Sequence, residues 1–349
     1  MKFYDLLQLS TKDLKTRIKD ASCSDKKRYW KALIIKDVLC VFFAIFFIVF
    51  FNKIFGEKNS SVAVVIFCVL LGIRFVDFDY KLSTSIVNLL ITFLIIILGP
   101  YLNSILNPEL AFFINFFFLM TILIMTCEQP MYGNSSLYVF GYILLFSSPV
   151  YGFDMFLRVL EMLVGFIVCA LVLYKKHRHK EYRKSFKDIL RAFSIGDDKC
   201  KWQIKLALGI SLGILIGSLL KLERIMWVAI AIMSVLTPYY DTPHSRIKDR
   251  VLGVVVGSIA FLVIYNIVPN SYISLMGPLS GLVLGFCASY RWSSIFNCFG
   301  ALLVASSVYG ASQATFLRIF NNLFGCLFAL VFYFIFNKFY EKISNYFVC

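Results

Sequence analysis

Residues 250–290 read RVLGVVVGSIAFLVIYNIVPNSYISLMGPLSGLVLGFCASY, and Arg250 is the only charge among them. A helix crosses the hydrocarbon core of a bilayer with roughly 20 apolar residues, so this stretch accommodates two crossings, 250–268 and 273–290. The segment before it begins at Trp227 and stops at Thr237-Pro238. A short basic connection follows, and the next helix opens with Arg250-x-x-Gly253-x-x-x-Gly257. A guanidinium at the start of a membrane helix is expensive to keep, and such residues are commonly functional.

The same pattern extends outward. Residues 82–108, 110–127, 129–153, 292–317 and 319–337 also lack charge. Of the 349 residues 60% are hydrophobic and 16% charged, against about 25% charged in soluble proteins. The chain therefore reads as an all-α polytopic membrane protein with twelve spans: 38–52, 59–75, 84–106, 110–127, 136–153, 156–174, 204–220, 225–240, 250–268, 273–290, 293–310 and 315–337. Residues 1–36 are polar and basic, without the short apolar core of a cleavable signal, so the first span is expected to remain. The ten cysteines form no C-x-x-C pair and read as small packing residues.

A net charge of +15 invites a nucleic-acid partner, but its distribution argues against one. With the N-terminus inside, 29 of the 35 Lys and Arg fall on one side of the proposed spans. The positive-inside rule then places both termini in the cytoplasm of a multi-pass plasma-membrane protein. Anionic lipid headgroups are the expected partners of the excess charge. The remaining six are Lys53, Lys58, Arg158, Lys221, Arg224 and Arg318.

The chain repeats itself at an offset of about 160. Ser147-Ser148-Pro149-Val150-Tyr151-Gly152 resembles Ser306-Ser307-Val308-Tyr309-Gly310, and the segment from Phe156 to Gly165 parallels that from Phe316 to Gly325. Arg158 stands opposite Arg318, and Glu161 opposite Asn321. The expected organisation is a basic N-terminal segment (1–37), a first six-helix repeat (38–174), a basic amphipathic linker (175–203), a second six-helix repeat of the same orientation (204–338) and a tail (339–349). Such repeats pair about an axis along the membrane normal and leave a pathway between them. Phe186, Ile189, Leu190 and Phe193 in the linker, and Leu6, Leu7, Leu9, Leu14 and Ile18 near the N-terminus, suggest amphipathic helices on the inner membrane face.

Trp227, Thr237-Pro238 and Arg250-x-x-Gly253-x-x-x-Gly257 resemble the signature of the fusaric acid resistance family, which includes aromatic acid exporters. More distantly the arrangement is similar to the plant aluminium-activated malate transporters. The chain departs from the pattern at Val254, where a Thr is expected, and Thr84 replaces the arginine in the first half. The resemblance implies a membrane transporter of small organic anions, with Arg250, Trp227, Pro238, Gly253 and Gly257 at the substrate site.

The residues themselves support parts of this. Arg250 offers a planar fork to a carboxylate, next to a helix N-terminus that favours anions, although an anchor that snorkels to headgroups has the same appearance. Arg158 and Arg318 recur at the outer ends of the sixth and twelfth spans and form the expected anion-attracting vestibule, with Arg250 as the inner contact. Glu161, three residues after Arg158 on the same helical face, is a proton-coupling acid or, preferred on proximity, a counter-ion to Arg158. Gly209, Gly213 and Gly217 mark a packing face. Trp227, Tyr239, Tyr240 and Trp292 read as belt anchors. His177, His179 and His244 are scattered, so no metal site or cofactor is expected and no enzyme activity. The leading reading is an exporter of small organic, including aromatic, carboxylates. The rivals are a passive anion channel and a non-transporting membrane partner, and a second copy or an accessory protein remains open.

Overall fold

A computed structural model of the chain describes residues 3–180, 184–191, 194, 196–238 and 243–347. Tyr239, Tyr240 and Phe193 lie outside the described residues. Helices fill the rest: α1 Phe3–Gln8, α2 Thr11–Asp20, α3 Cys23–Phe55, α4 Ser60–Ile73, α5 Leu82–Ile105, α6 Pro108–Thr126, α7 Ser135–Phe146, α8 Gly152–His177, α9 Phe186–Arg191, α10 Asp198–Leu219, α11 Ile225–Val235, α12 His244–Ile267, α13 Met276–Gly285, α14 Tyr290–Tyr309 and α15 Ala311–Phe347. Among the described residues there is no β-strand.

Among the described residues, eight helices are long and apolar enough to cross a membrane: α3, α5, α6, α8, α10, α12, α14 and α15. The other four expected spans fall on α4, α7, α11 and α13, which have 14, 12, 11 and 10 residues. At 1.5 Å per residue they reach roughly 15–21 Å, short of the roughly 30 Å core. Of the twelve expected spans, these four fall on helices shorter than the expected bounds. The physical reason is visible at α7 and α11, which end at Phe146 and Val235, each three residues before a proline (Pro149, Pro238) that cannot continue a helix.

The chain forms two compact units that cut across the sequence halves, because α3 and α15 each contribute to both. One unit comprises residues 1–47 and 245–320, the other residues 48–244 and 321–349.

In the first unit, Leu6, Leu14 and Ile18 of α1 and α2 are buried against Ala32 and Leu33 of α3, with Phe286 beside them. The N-terminal helices are amphipathic as expected, but their apolar face covers protein rather than lipid. Two short helices gain more from burying leucines against a neighbouring helix than from lying alone at the interface. Gly310, at φ +79°, turns the chain between α14 and α15, a conformation that costs glycine little. Gly152, its counterpart in the Tyr-Gly repeat, also has positive φ, at +58°.

In the second unit α10 packs on α6 and α11, and α4 packs on α7 and α8. The Gly209, Gly213 and Gly217 row is the expected packing face. A Cβ at Gly209 or Gly213 would collide with Leu236 or Ile232 of the α11 segment, and one at Gly217 would press on Ile225, so glycine allows the two helices to approach closely. Gly165 of α8 meets Ile66 of α4, and Gly325 of α15 meets Val228 and Ala231 of α11 in the same manner. Asn103, Asn115 and Tyr142 tie α5, α6 and α7 together. The two amides exchange hydrogen bonds of 2.7 Å, and the Tyr142 hydroxyl donates to Asn115.

The linker is latched to this unit rather than spread on a surface. Ile189 of α9 is buried, although Phe186 is exposed. Lys180 reaches Asp77 at 2.6 Å. Glu128, after α6, receives Lys184, Lys199 at 3.0 Å and the Tyr80 hydroxyl at 2.9 Å. Burial alone would raise the Glu128 carboxyl, but these hydrogen bonds outweigh it and hold the group below the ordinary glutamate range. The same contact raises Lys184. A depressed carboxyl contributes stability above its unfolded value of about 4.3 and loses it as pH falls through the folded value. Thermal melts in detergent are therefore expected to drop steeply below about pH 4.3, and Glu128→Gln is expected to flatten that limb. An unchanged acid limb in the variant would contradict the latch.

Candidate functional site

Arg250 is the seventh residue of α12, three residues before Gly253 and seven before Gly257, so all three share one helical face. The glycines set the spacing. A Cβ on Gly253 would sit 2.5 Å from Cβ of Ser294, and one on Gly257 would sit 2.5 Å from the carbonyl oxygen of Ile295 and 2.9 Å from its Cα. Helix α12 thus meets α14 backbone to backbone, as small residues permit. Gly253 and Gly257, expected at the substrate site, are covered by α14 and act as spacers. Leucine at Gly257 must displace main chain, at a cost of about 1–3 kcal/mol or more. Gly257→Leu is expected to lower the melting temperature, whereas Gly300→Ala on α14, where nothing lies within 4 Å, is expected to leave it unchanged.

That close approach brings Arg250 to the first residue of α14. Its Nη1 donates to the Tyr290 hydroxyl at 2.9 Å. The Arg246 guanidinium lies over the Tyr290 ring, 3.2 Å from its centre, one turn before Arg250 on α12. Asp249 is paired with Arg291 at 2.6 Å. Arg318 enters the same cluster from α15. It lies within electrostatic reach of the buried Cys298, of the Arg250 charge and of Tyr290. Arg250 and Arg318 are both only 7% exposed.

The expected division of labour put these two residues apart. The sequence depth of Arg318 suggested an outer mouth and that of Arg250 an inner contact. Both instead stand in the first third of their helices, are buried, and lie within electrostatic reach of each other. The aromatic rings of α12 and α14 continue from the cluster. Phe261 packs edge-on against Phe299, and Phe296 lies between Phe299 and Trp292.

Arg158 is held differently, in the second unit. Its Nε donates to Asn59 Oδ1 at 3.0 Å, Nη1 to the Ser148 carbonyl at 2.8 Å and Nη2 to the Lys58 carbonyl at 3.3 Å. All three nitrogens are engaged with protein acceptors, so Arg158 clamps α8 to the start of α4. In the second half the start of α11 is met instead by Asn321, whose Nδ2 donates to the carbonyls of Glu223 and Arg224 at 2.7 and 3.3 Å. Asn321 thus contacts the turn before α11 much as Arg158 contacts the turn before α4.

Glu161 is fully buried, and among the described residues neither of its oxygens has a hydrogen-bond partner. Arg158 acts on it only through space. Trp227 is 1% exposed and so is no belt anchor. It lies in the core of the second unit, with the Arg224 guanidinium 6.0 Å from its ring centre. Trp292 is exposed as expected. Pro238 follows α11 in the second unit and closes that helix. The Trp202 indole donates to the Leu236 carbonyl two residues before it, at 3.0 Å.

Tyr290, Asp37 and Glu128 were not singled out from the sequence, where Cys298 stood only as a packing residue and His177 only as a scattered histidine. His177 joins the Ile73 carbonyl at 2.9 Å and Asp77 at 3.2 Å. Only the Glu and Asp carried a usable signal, as acids at the ends of apolar runs.

Residues 212–332 match the protein family described as fusaric acid resistance protein-like. This segment contains Trp227, Pro238, Arg250, Tyr290, Cys298 and Arg318, and the resemblance read from the sequence holds over it. No curated protein and no solved structure matches the chain.

Proposed function

We propose that this multi-pass membrane protein, fusaric acid resistance protein-like over residues 212–332, transports small organic anions, aromatic carboxylates among them, out of the cell. The observation that carries the reading is a pair of buried guanidiniums within electrostatic reach of each other, Arg250 on the Tyr290 hydroxyl and Arg318. Like charges taken out of water repel and are poorly solvated. A carboxylate placed between them relieves both costs, and a guanidinium fork suits its planar geometry. The ring ladder of Phe261, Phe299 and Phe296 offers an apolar, aromatic continuation for the rest of such a ligand.

The wider reading belongs to the same proposal. Two six-helix halves of one orientation, with the short helices α4, α7, α11 and α13 completing the crossings, agree with the recurring glycine contacts of Gly165 and Gly325. Cytoplasmic termini in a plasma membrane follow from the lysine and arginine distribution. Anionic headgroups suit the groove of about 580 Å³ lined by Lys26, Lys27, Trp30, Lys31, Ile34 and Ile35.

The test is ligand stabilisation of the purified protein. Benzoate at 100 times its dissociation constant raises stability by about 2.7 kcal/mol, so a rise in melting temperature is expected for the wild type and none for Arg318→Gln. Equal shifts in both proteins would overturn the assignment.

A further inference from the structure

Asp37 of α3 is only 6% exposed, and its Oδ2 has no hydrogen-bond partner among the described residues. Its carboxyl lies against the main chain of Gly285, the last residue of α13, so closely that any Cβ there would collide with it. The carbonyl end of a helix disfavours a negative charge, and a buried carboxylate oxygen without a donor is costly. A neutral carboxylic acid fits this place.

Several charged and polar groups among the described residues lie around Asp37. On its own helix, Lys36 acts on it electrostatically but turns its ammonium to the Leu9 carbonyl. From α2, Thr11 donates to the Gly285 carbonyl at 3.0 Å, and Lys15 acts on Cys287. From the end of α13, the Cys287 thiol donates to the Val283 carbonyl at 3.3 Å. Residues 286–289 then lead directly to Tyr290, the acceptor of the Arg250 hydrogen bond.

We propose that Asp37 is a proton-binding site coupled to the anion site through residues 286–289. The protonated acid seats Gly285 and holds Tyr290 on Arg250, as in this structure. When the proton leaves to water, the carboxylate withdraws from the carbonyl end of α13, the 286–289 segment shifts, and Arg250 turns from Tyr290 to the anion. Anion binding and proton binding thereby oppose each other, which exchanges an anion for a proton. The inference rests on the anion reading of Arg250 and Arg318.

Two measurements test it. Infrared difference spectra between acid and alkaline pH report the carboxylic C=O band directly, and one titrating band is expected to vanish in Asp37→Asn. Benzoate affinity, measured across pH, is expected to tighten by roughly tenfold per pH unit in the wild type for one coupled proton and to be flat in Asp37→Asn. Gly285→Ala, which pushes on the carboxyl, is expected to move the wild-type profile to lower pH, and it serves if Asp37→Asn does not fold. A band that persists in Asp37→Asn, or profiles that coincide with the wild type in both variants, overturns the proton site. Failure of benzoate to bind the wild type at any pH overturns the anion reading and the coupling, while the band still decides whether Asp37 binds a proton.

Discussion

Arg250→Gln is expected to reduce carboxylate flux into proteoliposomes by about 30-fold or more, with the protein still inserted and folded. Removing one partner of a desolvated charged contact costs about 2–5 kcal/mol, and each 1.4 kcal/mol is a factor of ten. Glutamine can bond Tyr290 but supplies no charge to the ligand. Arg250→Lys is expected to recover little, because an ammonium lacks the bidentate fork. Arg318→Gln is expected to fail in the same way, since the two buried guanidiniums lie within electrostatic reach of each other. Arg291→Gln is the control. Arg291 sits next to Tyr290 but is half exposed and spent on Asp249, and exposed pairs contribute about 1 kcal/mol or less. Wild-type flux in Arg250→Gln would end the site assignment.

Arg158→Gln is expected to do the opposite, lowering stability while leaving flux per folded molecule near the wild-type level. The change removes a guanidinium that holds Asn59 and the carbonyls of Ser148 and Lys58. It also strips the buried Glu161 of the cation acting on it. Breaking such a buried arrangement costs about 3–5 kcal/mol. Adding Glu161→Gln is expected to restore part of the melting temperature, a coupling that a double-mutant cycle reads directly. Additive losses would show that Arg158 and Glu161 are independent. The paired sequence positions Arg158 and Arg318 are thereby separated by experiment into a clamp and a ligand contact.

The membrane class was legible in the sequence because apolar runs of this length have few other uses. Every expected span falls on a helix. What misled was counting apolar residues through Ser147-Ser148-Pro149 and up to Pro238, where hydropathy continues but the helix stops. Amphipathicity was likewise read correctly in α2, but periodicity reports only that a face is apolar, and Leu14 found Leu33 and Phe286 nearby rather than lipid. Among the site residues, Arg250 stood out as the single charge in a long apolar stretch. Tyr290 and Cys298 did not, since a tyrosine and a cysteine among aromatic and apolar residues are common.

The sequence by itself determined the helices, their membrane character and the identity of the costly charges, because these depend on local composition and on the price of burying an ion. Only the tertiary structure decided which charges meet. Arg158 and Arg318 occupy matching places in a repeated segment, yet one is held by Asn59 and two carbonyls and the other lies within electrostatic reach of Arg250. The difference lies in contacts across the fold. Asn321 supplies the donors at the start of α11 in the second half, and Gly253 and Gly257 bring α14 close enough for Tyr290 to reach Arg250.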